Sequence, residues 1–382
     1  MRTPPHRTWA EISLGRIAAN YHALRAAVAP GCVLAPVVKA DAYRHGAAAV
    51  SLRLQAEGAK WFAVSNTEEG VSLRASGITA RILVMGDFLD YERAALVDAQ
   101  LTPVVHSLAR LGDLNTFAAA CGTAITYHLK IDTGMGRLGA RTEIRQLLQA
   151  VRDASHLRFE GLMTHLASAN DFTTSQTADQ ILAFEAALSE FNRVGLTPAQ
   201  VHLSSSGPIA FQLRHAYGTL VRPGLALYGY VSPPCGPAPA VDLPAVNLEV
   251  QPALTWKARV LQIKEIPKDG TVGYGAQWRA ARPTRMAVIA AGYADGIPQQ
   301  LSNRGHVAAA GKLLPMLGAV SMDLITVDVT DAPQVQIGDA VTLLGRDGAI
   351  KYDAQDMAAE AGIISYAILC GLGNRVARVY VD

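Results

Sequence analysis

The sequence predicts an α/β protein, a (β/α)8 TIM barrel followed by a β-rich C-terminal domain. Three observations carry that expectation. Short runs rich in β-branched residues alternate with stretches of helical periodicity through roughly the first 230 residues, the size and rhythm of an eightfold barrel. A stiff run, Pro233-Pro234-Cys235-Gly236-Pro237-Ala238-Pro239, then excludes helix and marks a boundary. Beyond it the pattern turns to strands joined by turns containing Gly, Pro and Asp.

In chain order, the barrel strands are expected at Val33–Val38, Trp61–Ser65, Arg81–Met85, Thr102–His106, Ile125–Ile131, Arg158–Thr164, Gln200–Leu203 and Thr219–Arg222. Helical spacing fills Ala47–Glu57, Leu108–Ala120, Thr142–Ala154 and Ala178–Val194. A doubly wound open sheet would use fewer strands and often carries a glycine fingerprint after the first; none follows Val38. C-terminal strands are expected at Thr255–Ile263, Met286–Ala291, Leu324–Val329 and Ala340–Leu344. The domains are accordingly 1–235 (barrel) and 236–382 (β-rich), with the opening residues, to about residue 12, expected to pair with the second.

Composition removes several function classes. The 34 Lys+Arg against 32 Asp+Glu leave a net charge of +2, too little field to hold nucleic acid or an anionic membrane. Cys32, Cys121, Cys235 and Cys370 are 89, 114 and 135 positions apart, which fits neither a zinc knuckle nor a dense disulfide framework. Reduced thiols and no metal are expected. No secretory apolar stretch of about 7–15 residues opens the chain, and no apolar run of about 18 follows, so a cytoplasmic location is expected.

Reactive groups of a TIM barrel sit where strands run into their following loops. Lys39 follows the first predicted strand, Lys130 and Asp132-Thr133-Gly134-Met135-Gly136-Arg137 the fifth, His165 the sixth, Ser204-Ser205-Ser206-Gly207 the seventh, and Arg222 closes the eighth. A lysine emerging from the buried run Leu34–Val38 has a partly desolvated ammonium, which makes its free amine available as nucleophile or base. Taken alone, Lys39 could equally snorkel its head into water.

The stretch Val37-Val38-Lys39-Ala40-Asp41-Ala42-Tyr43-Arg44-His45-Gly46 resembles the cofactor-lysine signature of alanine racemases, fold type III enzymes that use pyridoxal 5′-phosphate (PLP). The likeness continues in order through Lys130-Ile131-Asp132-Thr133-Gly134-Met135-Gly136-Arg137-Leu138-Gly139, Thr164-His165, Arg222-Pro223-Gly224-Leu225-Ala226-Leu227-Tyr228-Gly229, Val272-Gly273-Tyr274-Gly275, Gly292-Tyr293-Ala294-Asp295-Gly296 and Met322-Asp323. It spans nearly the whole chain.

The resemblance implies that Lys39 bonds to PLP and that Lys39 and Tyr274 are bases on opposite faces of the substrate α-carbon. It places His165 against the tyrosine, with Arg222 behind the histidine and facing the pyridine nitrogen. An arginine keeps that nitrogen unprotonated and so weakens the electron sink, which separates racemases from aminotransferases. By the same resemblance Ser206, Gly224 and Leu225, with the hydroxyls of Tyr43 and Tyr366, bind the phosphate. Arg137 and the backbone of Met322 hold the substrate carboxylate, Lys130 is a carbamylation candidate, and Tyr293 lies at the entrance. The chain departs from the usual family pattern at Ser205, where Asn is common, and at Arg44, where Gly is common.

What the likeness implies is racemisation of L- and D-alanine, for peptidoglycan or alanine catabolism, in a homodimer whose active sites are completed by the partner's C-terminal domain. A serine or broad-specificity racemase of the same fold is the enzymatic alternative, because pocket volume sets substrate range. A non-catalytic PLP-binding regulator is the alternative from another class; such chains resemble the barrel alone, whereas this one adds the part that carries Tyr274 and Met322-Asp323.

Overall fold

The structure, a computed structural model, describes residues 6–236 and 243–382; Pro237, Ala238 and Pro239 of the proline-rich run lie outside the described residues. The chain forms two compact units. One comprises Ile17–Ala42 and Ala47–Gln251, the other residues 6–16, Tyr43–Gly46 and Pro252–Asp382.

Strands are numbered along the chain: β1 (Thr8–Ser13), β2 (Val33–Leu34), β3 (Trp61–Val64), β4 (Arg81–Val84), β5 (Thr102–Val105), β6 (Ile125–Lys130), β7 (Leu157–Met163), β8 (Gln200–His202), β9 (Leu220–Val221) and β10 (Leu254–Ile266). In the first unit, β3 to β8 pair in sequential order as a parallel sheet, and β2 pairs parallel with β9. Two links close the ring. Val37 bridges to Ala63, and the Val201 and Ser204 carbonyls accept from the N–H groups of Thr219 and Arg222 at 2.9 and 3.0 Å. Barrel strands are covered on both faces, which is why they read as continuous apolar runs; β3 and β5 are buried throughout.

All eight predicted barrel strands are present, shortened at one or both ends, with β7 beginning one residue early at Leu157, and the four predicted helices occur at Ala47–Ala56, Leu108–Cys121, Ile144–Asp153 and Gln176–Arg193. Leu14–Ala27, Thr67–Ala75 and Arg93–Asp98 are further helices; Asn66 caps the second, its side chain accepting the Glu69 N–H at 2.9 Å.

The change of unit falls between Gln251 and Pro252 rather than in the proline-rich run at residue 235. Hydrogen bonds explain the offset. Asn247 N–H donates to the Ala210 carbonyl at 3.0 Å and Gln251 N–H to Asn20 Oδ1 at 2.8 Å, which ties residues 247–251 to the barrel.

The second unit is built on β10. Antiparallel β1 lies along it, Trp9 opposite Lys257, and the C-terminal strand Ala377–Val381 runs parallel to β1 on its other side. Trp9 and Trp256 are fully buried there. The strands Thr284–Ile289, Ile325–Asp328 and Ala340–Asp347 extend the pairing, and two helices the β-rich expectation did not include, Ala354–Ala361 and Ser365–Cys370, are also present.

Candidate active site at the barrel mouth

Lys39 opens a helical turn, Lys39–Arg44, of unusual hand. Ala40, Asp41, Ala42, Tyr43 and Arg44 all have positive φ, between 52° and 66°. A left-handed turn of five non-glycine residues costs roughly 1–2 kcal/mol per residue, so surrounding bonds must over-determine it. Glu69 supplies one clamp: its carboxylate accepts from Ala40 N–H and Ser65 N–H, both at 2.7 Å. Asp41 supplies another by accepting the Ala47 N–H at 2.7 Å.

Around Lys39 the barrel gathers cations. Lys130, the last residue of β6, is only 4% exposed. Burial, then Arg222 and Arg137, lower its ammonium to about 8, Lys39 adding to the effect and the Asp132 carboxylate opposing it. His165, just after β7, is driven to about 3 by burial and by Arg222, Lys130, Arg137 and Lys39, so its imidazole is neutral. The loop carrying Arg137 is held by Asp132, whose carboxylate accepts from Gly134 N–H at 3.0 Å, Gly136 N–H at 3.0 Å and Arg141 Nε–H at 2.9 Å.

Arg222 follows β9 directly and is 3% exposed. Its Nη1 donates to His202 Nδ1 at 2.7 Å and to the His202 carbonyl at 3.0 Å; its Nη2 donates to the Thr164 and Leu203 carbonyls at 2.9 and 3.1 Å. Burial lowers it to about 9, which leaves the guanidinium charged at neutral pH. Four of its five N–H groups are thereby taken; among the described residues Nε–H has no acceptor. Nearby, Ser206 Oγ accepts from Gly224 N–H at 3.0 Å and Ala226 N–H at 3.1 Å. Both acceptor positions filled, the Ser206 hydroxyl is left to donate. Leu225 opens the 3-10 turn Leu225–Tyr228 in the same loop.

The remaining predicted residues lie in the second unit. Tyr43 is buried there, its ring 5.9 Å from that of Tyr366, and burial pushes its phenol well up. Arg44, where the family pattern has Gly, donates to the Cys370 carbonyl at 3.3 Å and to Asn374 Oδ1 at 3.0 Å. Tyr274 sits in a tight turn and is 76% exposed. The Tyr293 and Ala294 N–H groups donate to the Ser321 and Met322 carbonyls, both at 3.0 Å, so the loops carrying Tyr293 and Met322 are stitched together. Gly292 is obligatory at the seam, because an added Cβ would lie 2.3 Å from the Ser321 oxygen. Arg375 braces both loops by pairing with Asp295 at 2.7 Å and Asp323 at 2.6 Å. Lys39, Lys130, Arg137, His165, Ser206, Arg222, Gly224 and Leu225 thus share the barrel unit; Tyr43, Tyr274, Tyr293, Met322 and Tyr366 share the other.

Sequence reading missed several supporting groups. Buried Gln180 accepts the Ala167 N–H at 2.8 Å and donates to the His165 carbonyl at 3.0 Å, setting the loop after β7. Thr133 and Thr164 hydroxyls are 2.8 Å apart, tying the β6 and β7 ends. His202, His128 and Glu160 lie behind Arg222 in the barrel interior. A legible signal existed for the last: Glu160-Gly161 inside an apolar strand run marks a bulge.

Two family models match the chain, the alanine racemase N-terminal domain over residues 12–233 and the alanine racemase C-terminal domain over residues 253–380. An alanine racemase from Halothermothrix orenii is 37% identical over 98% of this chain and 96% of its own length. The crystal structure of alanine racemase from a D-cycloserine-producing Streptomyces lavendulae superposes with a TM-score of 0.91 at 33% identity, covering 100% of this chain and 98% of that one. An alanine racemase from Bartonella henselae, solved with covalently bound pyridoxal phosphate, superposes with a TM-score of 0.86 at 31% identity, covering 99% of this chain and 100% of that one. With both halves matched in order and nearly end to end, the chain belongs to the alanine racemase family.

Proposed function

We propose that Lys39 and Tyr274 are the two bases of this enzyme, acting on opposite faces of the alanine α-carbon, with Tyr274 supplied by a second copy of the chain. Family membership makes the chain a PLP-dependent isomerase that racemises alanine. PLP, when bound, takes up the electron pair left at the α-carbon as its proton departs.

The observation that carries the reading is the Arg222 guanidinium, fixed by four acceptors and, among the described residues, with Nε–H alone left to donate. A fixed cationic donor suits an unprotonated ring nitrogen, and Arg222 would hold that nitrogen without yielding a proton. The donating hydroxyl of Ser206, with Gly224 and Leu225 in the adjoining loop, would hold the phosphate, joined by the hydroxyls of Tyr43 and Tyr366. The cationic surroundings of Lys130 and His165 suit two anionic partners, a phosphate and a substrate carboxylate.

Lys39 removes or returns the proton on one face, and Tyr274 does so on the other. A phenol is a weak base at neutral pH unless a donor stabilises its oxyanion. His165, neutral and backed by Arg222, can give one N–H to that oxygen without carrying charge itself. Arg137 grips the substrate carboxylate, aided by Met322 N–H. Lys130, lowered to about 8, offers a neutral amine that can take up CO2 as a carbamate, turning a cation beside Arg137 into an anion.

Tyr274, Tyr293 and Met322 are all exposed, large apolar or aromatic side chains of the kind that an interface covers. An isologous dimer would bring them to the partner's barrel mouth and set Tyr293 at the entrance. The enzyme acts in the cytoplasm, providing D-alanine for peptidoglycan or consuming it in alanine catabolism.

Deuterium uptake from heavy water tests the base assignment. Tyr274→Phe should lose α-proton exchange from one alanine enantiomer about 100-fold or more while exchange from the other falls far less. Equal, mild losses from both enantiomers would overturn it.

A further inference from the structure

Behind Arg222 a chain of polar side chains crosses the barrel interior to its opposite end. His202 Nε2 lies 2.9 Å from His128 Nδ1, and His128 Nε2 lies 3.1 Å from Glu160 Oε2. Glu160 in turn accepts two bonds from Arg81, Nη1 to Oε1 at 2.5 Å and Nη2 to Oε2 at 2.6 Å. His128 and His202 are both 0% exposed, whereas Arg81, the first residue of β4, reaches solvent.

The backbone is shaped for this chain. Pairing of β6 with β7 slips between Tyr127 and His128, which face Phe159 and Gly161, so Glu160 is the extra residue of a bulge. Gly161 leaves room for the imidazole; a Cβ there would lie 2.6 Å from His128 Cγ. Arg81 stacks over Trp61 at 4.0 Å, and the Trp61 ring packs on His128 with centroids 5.5 Å apart. Trp61 thus walls the chain from solvent at its outer end.

Hydrogen-bond logic fixes every proton. A guanidinium only donates, so His202 Nδ1 must accept from Arg222. Neutral His202 then carries its proton on Nε2 and gives it to His128 Nδ1, and His128 must carry its own on Nε2 and give it to Glu160. Burial and the Arg222 charge hold both imidazoles below their ordinary range, while Glu160, with His128 and Arg81 donating to it, stays ionised. All bonds point the same way, from Arg222 to Glu160, an arrangement in which each bond polarises the next.

We propose that Glu160 and Arg81, remote from the reacting atoms, are positioning residues that set the orientation and donor strength of Arg222 through the His128–His202 pair. The inference rests on the reading above in which Arg222 faces the ring nitrogen. A carboxylate directly against Arg222 would neutralise the donor and put an anion next to the cofactor. Two neutral imidazoles keep the compensating charge at a distance and still lock the guanidinium plane. Arg81 competes with His128 for the Glu160 carboxylate and so sets how hard the chain is pulled.

The test is imidazole nitrogen NMR at pH 7 on holoprotein carrying nitrogen-15 histidine, in the wild type, Glu160→Gln and Arg81→Met. The wild type should show His128 and His202 neutral and protonated on Nε2. Glu160→Gln weakens the pull on the chain and Arg81→Met strengthens it, so the His202 Nδ1 resonance should move in opposite directions in the two variants. Alanine kcat in Glu160→Gln should fall about tenfold with KM held within about twofold. A His202 resonance that stays put, or moves the same way in both variants, overturns the proposal and leaves a packing role. If Glu160→Gln does not fold, the wild-type tautomers and Arg81→Met decide alone, a His202 protonated on Nδ1 being fatal. The resonances report the wiring independently of turnover, so a wild type that fails to racemise alanine would sink the functional reading without touching this measurement.

Discussion

Arg222 in the barrel and Arg375 in the second unit each organise loops that carry candidate site residues, and they do so by opposite electrostatics. Arg375 is half exposed and meets two carboxylates, Asp295 and Asp323. Arg222 is buried and meets carbonyl oxygens and one imidazole nitrogen, its nearest hydrogen-bond-linked carboxylate being two histidines away. The first arrangement satisfies charge and holds loops in place. The second keeps a buried cation charged and undercompensated, at an energetic cost repaid only by an anionic or electron-rich ligand. The same contrast extends outward: the barrel mouth crowds Lys39, Lys130 and Arg137 around Arg222 and strains its backbone, while the other unit presents braced loops and exposed rings.

The contrast can be broken most forcefully at the arginines themselves. Arg222→Leu orphans an imidazole nitrogen and three carbonyl bonds in the interior, and should lower unfolding stability by about 3 kcal/mol in urea titration. Arg375→Leu removes a half-exposed cation from exposed Asp323 and from buried Asp295, which keeps the Gly292 N–H, so its loss should be smaller and should shrink with added salt. Equal losses would erase the distinction.

Lys130 sharpens it. Its ammonium is about 8 in the folded chain against the ordinary 10.5, so between those values the unfolded chain binds a proton that the folded one does not, and stability rises with pH across that window. Below about 8 the buried charge is a standing penalty. Lys130→Met should therefore be more stable at pH 7, on the order of 1 kcal/mol after discounting for screening, and the gain should vanish as pH approaches 10.5. Lys257→Met in the second unit, where the lysine pairs with Glu11 at 2.9 Å, should show no such gain.

Much of this is legible in the sequence. Apolar runs such as Trp61–Val64 announce barrel strands because both faces are covered, and the strand-end positions of Lys39, Lys130, His165 and Arg222 follow from the same rhythm. Less legible were features that depend on what meets across the barrel. His128 and His202 are 74 positions apart and nothing local links them. Residues 247–251 join the barrel through hydrogen bonds to Asn20 and Ala210 that composition does not encode, which moved the boundary away from the prolines. Tyr43–Gly46 joins the second unit although its neighbours on either side belong to the first.

The left-handed turn is the clearest case of a feature invisible to propensity. Ala, Asp and Tyr favour right-handed backbone, and nothing in Ala40-Asp41-Ala42-Tyr43-Arg44 announces positive φ. Tertiary bonds impose it: Glu69 holds Ala40 N–H and Asp41 holds Ala47 N–H. If that strain is stored next to Lys39, glycine at exposed Ala40 should release it. Relief of about 1–2 kcal/mol is offset by roughly 0.4–1 kcal/mol of extra freedom in the unfolded chain, so Ala40→Gly should gain about 0.5–1 kcal/mol in thermal unfolding. The corresponding change in the second unit runs the other way, since Gly292→Ala drives a Cβ into the Ser321 oxygen and must destabilise. An Ala40→Gly variant less stable than wild type would mean that the turn is not strained and that Lys39 is placed by the clamps alone.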